Sequence, residues 1–317
     1  MTSQALTRAK HAICALFVLL GSVAHLAADE ATLSNLPSGR TFHRAVLHQD
    51  KVILIGGFGE SASEGNRRID VFDLKTGEWT QRNFPFDRRG VILLPAVADG
   101  KLYVLDVDGP AFRRYDVSND QWVELAAPSV PRPHSSMAAY NGKVIVVGGY
   151  TDKVTRENSV EIYDPEKNAW EIGPPLPDYR ETNHFHLMAE MGEHLHVVGH
   201  YFGGKSHWIY DGKKWTRKSD VPMVDCGWKT AALEAVGGEL ILIQKIYQTV
   251  GDMKDAVFSY KPSEDRWEAA GPAPDEVPLM VFANVSYGGK VYLIGGDPAP
   301  SRVASYDVNT KTWQFSD

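Results

Sequence analysis

Three regularities predict an all-β chain of six four-stranded antiparallel sheets set around an axis as a six-bladed β-propeller. An aromatic residue stands seven positions before a tryptophan in Phe72/Trp79, Tyr115/Trp122, Tyr163/Trp170, Tyr260/Trp267 and Tyr306/Trp313, and a shortened sixth pair is Tyr210/Trp215. The tryptophans of these pairs recur at intervals of 43, 48, 45, 52 and 46 residues. A β-rich run lies upstream of each pair, and a turn signal precedes each run. No helical periodicity of useful length interrupts the pattern.

Each repeat reads as four strands. An inner strand ends in a hairpin turn, expected at Asp50-Lys51, Gly100-Lys101, Asn141-Gly142, Gly192-Glu193, Gly237-Gly238 and Gly288-Gly289. Asn-Gly and Gly-Gly suit two-residue hairpins because both positions tolerate positive φ. The second strands are the apolar runs 52–55, 102–105, 144–147, 195–198, 240–243 and 291–294. Three of these end in a glycine pair (Gly56-Gly57, Gly148-Gly149, Gly295-Gly296). A fourth keeps Gly199-His200, and the other two carry Asp106-Val107 and Gln244-Lys245 instead. The third strand carries the first aromatic of each pair and the fourth carries the tryptophan, with a polar turn between them. One such sheet has two apolar faces and cannot bury both alone, whereas a ring of six covers every face. The expected blades are about 38–83, 84–127, 128–176, 177–222, 223–272 and 273–317. Thr32 to Leu36 precedes Pro37 much as Trp170 to Leu176 precedes Pro177, so this segment is expected to supply or cover the outer strand of the last blade.

The glycine pairs, the Tyr–Trp spacing of about seven and the period of about 45 residues resemble the kelch family over residues 31–317. The motifs are fullest in blades one, three and six. The resemblance implies a propeller whose ligands meet an arginine ring near the starts of the inner strands. Among exported relatives it also brings to mind bacterial sialic-acid mutarotases and the galactose-oxidase group of copper enzymes. The copper group needs a cysteine cross-linked to a ligand tyrosine and usually has seven blades with extra domains. Cys226 is available near Trp228, but the expected blade count and the absent C-terminal domain count against that reading.

The N-terminus reads as a secretory signal. Arg8 and Lys10 precede the apolar run 12–20, and small residues follow up to Ala28, with cleavage expected after Ala24 or Ala28. A nine-residue run falls short of the ~20 needed to span a bilayer. Removing residues 1–28 leaves 31 basic against 40 acidic residues, a charge of −9, which argues against nucleic acid as a partner. Cys226 is then the one cysteine, so no internal disulfide and no four-cysteine zinc site is expected. The expected product is a secreted or periplasmic monomer without a membrane span.

In a meander, the loop leading into each inner strand and the loop after the glycine pair share one face. The second set varies in length, with 58–68 long, 107–112 short, and 150–158 and 246–254 intermediate. Variable loops on a rigid scaffold are where binding concentrates. The expected ligand-binding residues are Arg40, Arg89, Arg132, Arg180 and Lys229, with His184, Tyr150, Tyr201 and Trp228 beside them; Arg88, Phe58 and Tyr247 also lie on this face. Forked guanidinium donors beside flat rings suit a glycan or a carboxylate-bearing protein segment. The competing reading pairs these arginines with acidic neighbours such as Glu157, Glu181 or Asp225.

Histidines crowd the fourth repeat at His184, His186, His194, His196, His200 and His207. If Gly192-Glu193 forms the turn, Met191 pairs with His194 and Ala189 with His196, which puts His186 on the opposite side of the sheet. No metal site is therefore expected there. Asp106-Val107-Asp108-Gly109 imitates a calcium loop but lacks its later acidic positions and reads as a turn. No cofactor is expected and no motif singles out catalytic residues. Binding of a glycan or protein ligand is the leading expectation, and a sugar mutarotase or epimerase the alternative.

Overall fold

The computed structural model describes residues 33–59, 68–85, 92–107, 109, 111–129, 131–149, 158–177, 186–199, 204–222, 229–246, 256–277 and 283–316. The expected signal peptide lies outside them. The strands are β1 (Arg44–His48), β2 (Lys51–Ile55), β3 (Arg68–Asp73) and β4 (Glu78–Asn83) in blade 1, and β5 (Leu93–Ala98), β6 (Lys101–Asp106), β7 (Phe112–Asp116) and β8 (Gln121–Glu124) in blade 2. Blade 3 holds β9 (Ser136–Tyr140), β10 (Lys143–Val147), β11 (Val160–Asp164) and β12 (Ala169–Gly173). Blade 4 holds β13 (Leu187–Met191), β14 (His194–Val198), β15 (His207–Tyr210) and β16 (Trp215–Arg217). Blade 5 holds β17 (Lys229–Val236), β18 (Glu239–Ile246), β19 (Ala256–Lys261) and β20 (Arg266–Pro272), and blade 6 holds β21 (Ala283–Tyr287), β22 (Lys290–Ile294), β23 (Val303–Asp307) and β24 (Thr312–Phe315). Every sheet is a simple antiparallel meander of four consecutive strands. The inner strands β1, β5, β9, β13, β17 and β21 neighbour one another in a closed circle.

The hairpin turns place a left-handed residue where the sequence allows one, as at Asn141 (φ 48°) and Gly142 (φ 72°). Two turns fall one residue earlier than predicted, at Gln49-Asp50 and Asp99-Gly100, because Lys51 and Lys101 already pair with His48 and Ala98 as the first ladder rungs. In blade 5, where Gln244-Lys245 replaces the glycine pair, the β17–β18 ladder runs on through Lys245 and Ile246.

The second strand of each blade is buried on both faces; Val52, Ile53, Leu54 and Ile55 are all fully buried. Its alternate side chains enter two different clusters. Ile53 and Ile55 pack with Leu102, Val104 and Tyr115 of blade 2, while Val52 and Leu54 pack with Tyr292 and Ile294 of blade 6. Equivalent clusters join blades 2 and 3, 3 and 4, 4 and 5, and 5 and 6. Each such aliphatic side chain contributes about 1.5–3 kcal/mol by burial. The aromatic ruler now has its explanation: each Tyr or Phe packs against its own Trp, and Tyr115 and Trp122 stack with centroids 4.3 Å apart. The indole N–H then ties blades together, since Trp170 donates to Ala126 O, Trp215 to Pro174 O and Trp313 to Pro272 O.

Ring closure repeats this joint with a different segment. Residues 33–36 form no strand, and the outer strand of blade 6 is its own β24. The segment covers the joint, which is the second of the two expected roles. Leu36 N–H donates to Ser301 O at 2.8 Å, as Leu176 N–H donates to Asn158 O at 2.8 Å, and both leucines are buried between blades. Ser34 Oγ accepts the Trp79 indole N–H at 3.0 Å, standing where a preceding blade supplies a carbonyl elsewhere.

The turns between third and fourth strands share a second device. Oδ1 of Asp73, Asp116, Asp164, Asp211 and Asp307 accepts backbone N–H groups two and three residues on. Side-chain hydrogen bonds from Lys51 to Asp73, from Ser118 and Asn119 to Asp116 and from Lys167 to Asp164, together with the backbone bonds that lead at Asp211 and Asp307, favour the charged form and hold these carboxyl groups below the usual range, Asp116 at about 2. The turns end on a left-handed residue, filled by Gly77, Asp120, Asn168, Asp265 and Lys311. Lys311 (φ 59°) lacks the short polar side chain that eases this conformation. Replacing it, Lys311→Asn, is expected to raise stability by about 1 kcal/mol in urea unfolding.

Candidate functional site

The loop leading into an inner strand and the loop leaving its glycine pair meet on one face. Thr41 and Phe58 exchange two backbone hydrogen bonds, at 3.0 and 2.8 Å. A side chain on Gly57 (φ 84°) would put its Cβ 2.4 Å from Thr41 O, and one on Gly295 would meet Arg40 O and the His43 ring at 2.8 Å. The glycines therefore allow the lead-in loop to lie directly on the sheet end.

Buried arginines lock these loops. Arg40 is wholly buried; its Nη2 pairs with Asp70 Oδ2 at 2.5 Å and its Nη1 donates to Gly56 O and Arg68 O. Burial lowers its pKa to about 10, against the attraction of Asp70, so it stays charged at neutral pH. In blade 3, Arg132 pairs with Glu161 and donates to Ser159 O at 3.1 Å and Ser159 Oγ at 2.9 Å. Asp70 and Glu161 occupy the same place, two residues before the ruler aromatics Phe72 and Tyr163. This corrects the expectation that Arg40 and Arg132 face a ligand. Their guanidinium groups are occupied inside the blade because the lead-in loop carries them over the sheet end, and they shape the mouth from behind. The partners are Asp70 and Glu161; Glu157, Glu181 and Asp225 lie outside the described residues.

Arg89, Tyr150, Arg180, His184, Tyr201 and Trp228 also lie outside the described residues, and Lys229 opens β17. What the structure brings to the described part of the mouth is a set the sequence reading passed over. Phe42, 40% exposed, takes φ 58° and sets its ring edge-to-face on Phe58 at 5.6 Å. Arg44 heads β1, its Nη1 donating to His43 O at 3.1 Å, and burial lowers its pKa. Deeper in the channel, the inner strands of blades 5 and 6 bring together Glu234, Asn284 and Ser286. Strand alternation was the available signal, because the other five blades hold Val or Ala at the position of Glu234.

In the fourth repeat the expected register holds: Met191 pairs with His194 and Ala189 with His196. The unforeseen contact is His196 Nδ1 to His207 Nε2, 2.9 Å apart and buried against Tyr260 and Trp267 of blade 5. Among the described residues no group of three or more His, Cys, Asp or Glu is placed to hold a metal ion. At the calcium-like stretch, Asp106 Oδ1 accepts the Gly109 N–H and closes a turn.

The fold and these clamps define a six-bladed propeller of four-stranded repeats. Comparison with known proteins places the repeats: the Kelch motif matches residues 39–82 and 131–177, the two blades that carry the Arg–acid clamp. The chain is a six-bladed β-propeller that carries Kelch motifs and is similar to kelch-repeat proteins. It is 29% identical over 202 residues to Kelch-like protein 35 of Mus musculus, covering 60% of this chain and 32% of that protein. It is 24% identical over 194 residues to F-box/kelch-repeat protein SKIP30 of Arabidopsis thaliana, covering 61% and 49%. The chain thus spans at most about half the length of these relatives. The solved structure of YjhT superposes with a TM-score of 0.71 over 90% of this chain and 99% of that one, at 14% identity, a likeness of fold.

Two outcomes follow. Asp70→Ala strands a buried guanidinium and is expected to cost about 3–5 kcal/mol in denaturant unfolding. The His196–His207 pair, with His194, Lys218 and Asp265 around it, is held well below the ordinary imidazole pKa, chiefly by burial. The unfolded chain therefore gains protons that the folded chain refuses as pH falls below about 6.5, and stability drops. The double variant His196→Ile, His207→Val is expected to reduce the loss measured by urea unfolding between pH 7.5 and pH 5.

Proposed function

We propose that this chain is an exported kelch propeller, secreted or periplasmic, that binds a glycan or protein ligand at the loop face around its central channel. The observation that carries this reading is Arg44. Its guanidinium heads an inner strand at the mouth, and the one hydrogen bond described for it goes to its neighbour's carbonyl, His43 O. Donors remain for a carboxylate or hydroxyl, and the Phe42–Phe58 pair offers an apolar ledge beside it. The buried Arg40 clamp holds this loop still, so a ligand would meet a preorganised surface. In this reading Arg89, Tyr150, Arg180, His184, Tyr201 and Trp228, expected from the sequence at the ligand-binding face, contribute to the same site. Among the described residues no helix is long and apolar enough to cross a membrane.

The test is a glycan array and a peptide display library probed with the chain lacking residues 1–28. Specific capture is expected, weakened about tenfold or more in Arg44→Ala, the scale of a lost charge-assisted hydrogen bond. Capture unchanged in both Arg44→Ala and Phe42→Ala would place binding elsewhere and refute the reading.

A further inference from the structure

The six inner strands follow the same two-residue hairpin, so their channel positions can be compared rung by rung. Two residues before the end of each inner strand stand Val46, Ala96, Ala138, Ala189, Glu234 and Val285. Five blades make this rung with a small aliphatic residue. Blade 5 places a carboxylate there. Glu234 Oε1 accepts from Asn284 Nδ2 at 2.5 Å and Oε2 from Ser286 Oγ at 2.9 Å, both on the neighbouring inner strand β21. All three are partly exposed, and mid-strand on the innermost strands that exposure opens onto the channel.

A tie between blades does not require this chemistry. The equivalent junctions close mainly on apolar side chains such as Leu47, Pro95, Met137, Met188 and Leu233. The one other acid among them, Glu190, accepts the Asn141 N–H instead of tying inner strands together. A carboxyl there costs desolvation that an aliphatic residue avoids. The cost shows in Glu234, whose pKa burial raises despite its two donors. What the trio adds is a fixed pattern of acceptors and donors. Each Glu234 oxygen keeps a free lone pair, the Asn284 amide keeps its carbonyl and a second N–H, and Ser286 Oγ accepts as well as donates. Neighbouring hydroxyls on a ring ask for that mixture of acceptor and donor within a few ångströms.

We propose that Glu234, Asn284 and Ser286 form a subsite in the channel wall that binds the vicinal hydroxyls of a neutral sugar or cyclic polyol. This rests on the loop-face reading, because the ligand enters from that mouth. It adds a second contact below Arg44 and selects for adjacent hydroxyl groups over an isolated carboxylate.

The experiment is saturation-transfer NMR on the folded chain with methyl α-glucoside, methyl α-galactoside and myo-inositol at millimolar concentration. At least one probe is expected to receive saturation at adjacent ring protons. Glu234→Gln and Ser286→Ala are each expected to weaken that binding about tenfold, with unchanged melting temperature. Binding that survives both substitutions but is lost in Arg44→Ala overturns the subsite and leaves the loop-face reading standing. Failure of all three probes with the unaltered chain also overturns the subsite, while array capture judges the loop face independently.

Discussion

A four-stranded sheet of this kind is apolar on both sides, and that constraint organises the molecule. Residues 52–55 show it most plainly: alternate side chains of one short strand go to two different neighbouring blades, and none reaches water. A blade is stable only between two others, so the chain must close. The closing joint is chemically the same as the rest, with Leu36 and Ser34 standing in for groups a preceding blade would provide. The aromatic pairs, indole hydrogen bonds and Asx turns then hold the outer halves of the sheets at the spacing the inner halves set.

Closure has a consequence for function. With both faces of every blade used up, what remains for recognition is the channel, the two rims and the outer edges. The buried arginines belong to that division of labour. Arg40 and Arg132 hold lead-in loops against glycine-lined sheet ends with charges that never reach solvent. Partly exposed polar groups stand instead on the inner strands, at Arg44 and Glu234, where the ladder fixes their depth.

Much of this was legible in the sequence because it is locally encoded. Tyr–Trp spacing, apolar runs and Gly-rich hairpins each depend on residues a few positions apart, and the six sheets follow from them. The Gln49-Asp50 and Asp99-Gly100 turns were misplaced by one residue because a lysine next to a turn residue carries no strong preference of its own. The Arg clamps were harder: Arg40 and Asp70 are thirty positions apart, and the acid looks like any polar residue in a half-exposed strand. Its regular place two residues before the ruler aromatic in blades 1 and 3 was the missed clue. The His196–His207 contact depended on the register of β15, which no hairpin turn announces. Glu234 went unnoticed because one acid in an alternating strand is ordinary until the equivalent rungs are laid side by side.

The central claim is that six mutually covered sheets behave as one cooperative unit, including across the joint between blades 6 and 1. Native-state hydrogen exchange, followed peptide by peptide at increasing urea, tests it most directly. Amides of β2, β6, β10, β14, β18 and β22 are predicted to merge into a single opening with one free energy and one urea dependence. Exchange of β22 and β23 by a separate, lower-energy opening, with the other blades still protected, would contradict the account.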